Sequence, residues 1–156
     1  MASRTRYAPG FTLLSQIDGH GLTYLPVGIS VAIAKGDALV LASGYATLAT
    51  TLQAKSVWIS QSVNTAAEAV ANGTIDAACI PIISAYKFMV PEEDNLLVLA
   101  DVGNIIDLQS EDGIDNSDAV TLGYGFMIDE IDVSTAAVAA NTYGYAIGHF
   151  EYVAAS

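Results

Sequence analysis

Two histidines, one cysteine and a run of acids are the residues of this chain whose types could do chemistry. His20 lies in the turn Asp18-Gly19-His20-Gly21, and His149 lies in an apolar segment near the C-terminal end. Nucleophilic catalysis needs a nucleophile, a base and a group that orients the base. His20 and His149 are the only imidazole bases, and no Gly-x-Ser-x-Gly elbow accompanies either. Cys79 sits in Ala77-Ala78-Cys79-Ile80, the setting of a small buried hydrophobe rather than of an activated thiolate. One cysteine and two distant histidines do not make a zinc ligand set. Asp107, Glu111, Asp112, Asp115 and Asp118 crowd one stretch, and hard oxygen ligands on a turn suit calcium. An EF-hand loop starting at Asp107 needs glycine at its sixth position, but Asp112 stands there and Gly113 comes one late. These acids read as solvent-facing turns. No catalytic, cofactor or metal residue is expected.

The elements that would carry these residues read as β. Tyr86-Lys87-Phe88-Met89-Val90 breaks at Pro91-Glu92-Glu93-Asp94-Asn95, and apolar runs follow at 96–100 and 105–108. A long acidic turn over 109–118 precedes Gly123-Tyr124-Gly125-Phe126-Met127-Ile128. Short apolar strands joined by Gly, Pro, Asn and Asp mark a β-sandwich or barrel. Val27, Ile29, Val31 and Ile33 alternate with small residues, so 22–51 reads as a meander of strands. Further strands are expected over 55–63, 74–83 and 143–153. The last places Tyr145, Ile147, His149 and Glu151 on one face, and Gly148, Phe150 and Tyr152 on the other. Thr65 and Glu68 make a capping box with Gly73 beyond, which predicts one short helix over 64–73. Residues 1–21 read as an irregular N-terminal arm, and 22–156 as a single mainly β domain, a β-barrel or β-sandwich.

Composition narrows the function classes. The chain has 156 residues, 53% of them hydrophobic and only 14% charged. A surface this poor in charge is expected to lie against partners. The net charge of −12 repels phosphate backbones and argues against nucleic acid. Arg4 and Arg6 make the arm slightly basic against an acidic body. The apolar stretch 25–34 is too short to span a bilayer, and no apolar h-region follows Met1, so neither membrane insertion nor secretion is expected.

Phe88-Met89-Val90-Pro91, Asp101-Val102-Gly103 with Ile106-Asp107-Leu108, and Phe126-Met127-Ile128-Asp129 resemble a pattern in small capsid-associated proteins of tailed phages. Lys35-Gly36-Asp37-Ala38-Leu39-Val40 with Ser43-Gly44 is similar to the strand–turn–strand of head decoration, or capsid cement, proteins. The resemblance implies a non-enzymatic virion protein, made in the host cytoplasm and bound to the outside of an assembled icosahedral shell. It implies a homotrimer that staples neighbouring copies of the major capsid protein. Arg4, Arg6, Tyr7 and Phe11 of the arm are expected to contact the shell or a neighbour. Tyr145, His149 and Tyr152 are expected at a subunit interface. Two alternatives stand beside this: a carbohydrate-binding or adhesion module, with or without calcium in the acidic loop, and a structural subunit of another shell or filament.

Overall fold

A computed structural model describes residues 10–15, 22–49, 57–82, 86–92, 97–120, 123–132 and 144–154. Eleven strands run in chain order: β1 (Thr12–Ser15), β2 (Thr23–Pro26), β3 (Ala38–Ala42), β4 (Tyr45–Leu48), β5 (Trp58–Ser60), β6 (Asp76–Pro81), β7 (Lys87–Pro91), β8 (Ile105–Ser110), β9 (Gly113–Ala119), β10 (Gly123–Ile131) and β11 (Tyr145–Val153). A six-stranded sheet has the order β1-β7-β11-β10-β8-β9, and a five-stranded sheet the order β2-β6-β5-β3-β4. Every ladder between named strands is antiparallel. The sheets pack face to face as a β-sandwich, and among the described residues no closed barrel forms. Among the described residues, no helix is long and apolar enough to cross a membrane.

The main core lies between the sheets. Alternation along β7, β10 and β11 turns Phe88, Val90, Phe126, Ile128 and Phe150 inward, where they meet Ala38, Ile59 and Ile80 of the smaller sheet. All four phenylalanines of the chain converge here, with ring centroids from 5.1 to 6.1 Å apart. Edge-to-face contacts of this kind add to the burial of the rings. Gly148 faces this cluster on β11. A Cβ there would run into the carbonyl oxygen of Met127 and lie 2.9 Å from the Phe126 ring, so only glycine lets β10 and β11 approach so closely.

The smaller sheet buries its second face too. Leu25, Val27, Ile33, Leu39, Ala46, Ala69, Ala77 and Cys79 form a separate cluster, with Trp58 packed against it. The residue after β2 touches β4 through one isolated parallel bridge, Val27↔Ala46, without a ladder that would close the sheet. The segments 27–36 and 61–75 supply the rest of the cover.

Four expectations change here. Residues 27–34 are turns with isolated bridges, not a strand. Ser30 has φ 60°, and Val27 and Ile33 bridge to different partners, Ala46 and Asn64. Their apolar side chains cap the second core, which is why they alternate with small residues. Residues 64–73 are turns, not a helix. The Glu68 amide does donate to Thr65 Oγ1, but the Ala69 carbonyl accepts from Ser30 N–H at 2.8 Å, so tertiary bonds divert the backbone after one turn. The acidic stretch is a hairpin of β8 and β9 turning at Glu111 and Asp112, and Asp107 is buried within it rather than facing solvent. Finally, the arm ends earlier than residue 21. Thr12–Ser15 pairs with β7 as an edge strand of the large sheet.

Candidate functional site

Gly10 and Phe11 mark where the N-terminal segment enters the body. The Gly10 amide donates to the Asp112 carbonyl at 2.7 Å, and the Phe11 amide donates to the Gly36 carbonyl at 2.8 Å. The segment thus passes between the Lys35-Gly36-Asp37 turn and the β8–β9 turn. Gly10 has φ +96°, and a Cβ on it would lie 2.9 Å from the Gly36 backbone. Phe11 is 1% exposed, at the centre of the phenylalanine cluster. This corrects its expected role: the ring completes its own core and is not presented to a neighbour. Arg4, Arg6 and Tyr7 lie outside the described residues.

A polar network crosses the outer face of the large sheet. His149 on β11 has Nδ1 2.7 Å from Asp129 Oδ2 and Nε2 2.7 Å from Glu151 Oε1. Lys87 Nζ on β7 stands 3.8 Å from the same Asp129 oxygen. Asp129 lies two residues after Met127, the strand partner of His149, so ordinary alternation puts it on the ring's face and diagonal to it. The register slips only beyond it, between Ile128 and Glu130, a bulge that leaves Glu130 on the same outer face and turns Ile131 inward. Burial pulls the imidazole pKa down, but the hydrogen bonds and charges of Asp129 and Glu151 outweigh it, and the net direction is up. The face shared by His149 and Glu151 was legible from strand parity. Asp129 was not, because the residue of β10 that stands beside His149 depends on the register between the two strands.

Tyr145 and Tyr152 part company. Tyr145 is buried, at 5% exposure, which removes it as a presented contact. Tyr152 is 60% exposed at the other end of β11 and meets Tyr124 edge-on, with centroids 5.2 Å apart.

A cleft of about 520 Å³ opens beside the first turn, lined by Ile33, Asp37, Leu48, Asn64, Glu111 and Asp112 among others. Asp37 is buried, and desolvation pushes its carboxyl up to about 6. The Ala34 amide, donating to its Oδ2 at 2.8 Å, opposes that rise, while Glu111 and Asp112 reinforce it. Among the described residues no three His, Cys, Asp or Glu side chains group as a metal site. Cys79 is buried, and desolvation pushes its thiol up to about 12, so it stays protonated at neutral pH.

No family model, no curated protein and no solved structure matches this chain.

Proposed function

We propose that this chain is a capsid decoration protein of a tailed phage, which binds the outside of an assembled shell and staples neighbouring copies of the major capsid protein. One observation supports the reading above others: a chain with only 14% charged residues leaves large apolar side chains in solvent. Tyr24 is 65% and Val70 67% exposed, and Ile29, Val63, Leu99 and Tyr152 are exposed as well. They sit on loops and strand ends around a body with two buried cores, as suits a module that works by presenting surface. The acidic balance fits a position outside the DNA compartment. In this reading the protein acts as a homotrimer, and several modest contacts per trimer add up through effective concentration.

The placement of Phe11 changes how the arm must be tested. Removing residues 1–17 would delete a core ring and an edge strand, so lost binding would only report lost folding. Removing residues 1–9 spares both. The truncated protein is expected to melt as the full chain does and to occupy purified capsids less. Full occupancy would remove Arg4, Arg6 and Tyr7 from the interface.

Tyr152 favours a second reading, a carbohydrate-binding module, because an exposed ring can stack on a sugar. A glycan array separates the two. Specific glycan retention that Tyr152→Ala abolishes, with no capsid binding, selects the second.

A further inference from the structure

The outer face of the large sheet carries a geometry that constrains a proton. Both ring nitrogens of His149 lie at hydrogen-bond distance from carboxylate oxygens. An ionised carboxylate only accepts, and a neutral imidazole has a single N–H. With both carboxylates ionised, two short contacts to two acceptors need the doubly protonated ring. The charges then balance: Lys87 and His149 supply two positive charges, Asp129 and Glu151 two negative. Among the described residues, the charged groups on this face near His149 are Lys87 from β7, Asp129 and Glu130 from β10, and Glu151 from β11 itself. Among the described residues, the charged groups that act on the ring are Asp129 and Glu151.

We propose that Lys87, Asp129, His149 and Glu151 form a proton-dependent clasp that ties β7, β11 and β10 together across the outer face of the large sheet. With the proton in place, the imidazolium bridges β10 and β11, and Lys87 draws β7 to the same carboxylate. Loss of the proton leaves one nitrogen's lone pair facing a carboxylate, so one of the two bonds breaks. The local balance falls from zero to one negative charge, on a chain already at −12. The sign follows from the ring's raised pKa. The clasp contributes its full stability below the pKa of an unfolded histidine, about 6.5, and loses it as pH rises through the folded value.

The test uses the full chain. His149→Gln removes the double donor, and the ring resonances that vanish in this variant identify His149 against His20, the only other histidine. Two measurements follow: the imidazole titration by NMR, and folding stability by denaturant from about pH 6 to about pH 9. The clasp predicts a His149 midpoint above the free-histidine value of about 6.5. It also predicts a loss of stability across this window that His149→Gln lacks. Should His149→Gln fail to fold, Glu151→Gln serves, and its midpoint is expected below the wild-type one. A wild-type midpoint at or below the free-histidine value overturns the proposal, as do equal pH slopes in wild type and variant, or a midpoint that Glu151→Gln leaves in place.

Discussion

The two cores of this molecule are built in opposite ways. Four phenylalanine rings fill the space between the sheets, and one of them arrives from outside the sheets on the N-terminal segment. The second core, on the far side of the smaller sheet, has no aromatic ring among its buried members, and half of them are small: Ala46, Ala69, Ala77 and Cys79 stand beside Leu25, Val27, Ile33 and Leu39. Packed sheets stand about 10 Å apart, and only large side chains fill that gap. Loops that lie directly on a sheet need the reverse. Small residues let the backbones close in, and Gly28 N–H donates to Ala46 O at 3.0 Å while Gly73 N–H donates to Val27 O at 2.9 Å. The first core is held by ring packing, the second by backbone hydrogen bonds over a thin apolar floor. The first should therefore suffer most from deleted atoms and the second from added ones.

Phe11→Ala gives the largest expected effect. It empties the centre of the ring cluster, for a loss of about 3–5 kcal/mol in denaturant unfolding. A loss under about 1 kcal/mol would mean that the N-terminal segment does not plug the core.

Asp37→Asn comes next and runs the other way. Asp37 lies on the turn between the cores, where Gly36 receives Phe11 and Ala38 begins β3. Its carboxyl is raised from 3.8 to about 6, so the folded chain holds this proton more tightly than the unfolded one. The stability from this group is complete below its unfolded pKa and is lost as pH rises through about 6. Asparagine keeps an acceptor for the Ala34 amide and has no proton to lose. The variant should gain up to about 3 kcal/mol on the wild type at neutral pH, at 1.36 kcal/mol per unit. Unfolding at about pH 4 and about pH 7 checks this: the gain should shrink at the lower pH. An equal gain at both would assign it to something other than the carboxyl.

Ala46→Leu tests the thin core directly. Added methylenes under the bridge to Val27 should cost about 1–3 kcal/mol and raise amide exchange in the 27–36 segment. Cys79→Ala removes one sulfur from the same floor and should cost about 1 kcal/mol. If Cys79→Ala cost as much as Phe11→Ala, the contrast between the cores would fail.

Much of this sheet pattern was legible in the residues. The short apolar segments at 86–90 and from Gly123 on, set between turn residues, marked strands, the parity of 143–153 sorted two faces, and the company of Cys79 announced its burial. What misled were segments whose apolar side chains serve a tertiary surface. Val27, Val31 and Ile33 carry the spacing of a strand because they cap a core from a loop. Thr65 and Glu68 carry a helix start whose continuation is lost when the Ala69 carbonyl accepts from Ser30. Phe11 carries no period at all, so nothing local says whether its ring stays home or leaves. The choice between sandwich and barrel depends on which edges pair, a long-range property that short strands do not encode. The proton clasp was half visible, since His149 and Glu151 share a face and Asp129 joins them only through the register of β10 against β11.

The proposed attachment to a shell is tested most directly by mixing the protein with purified tailed-phage capsids that lack decoration and pelleting the shells. The account predicts that the protein sediments with them and saturates at a fixed number of copies per shell. Protein that stays in the supernatant at every concentration, while its fold is intact by circular dichroism, would contradict it.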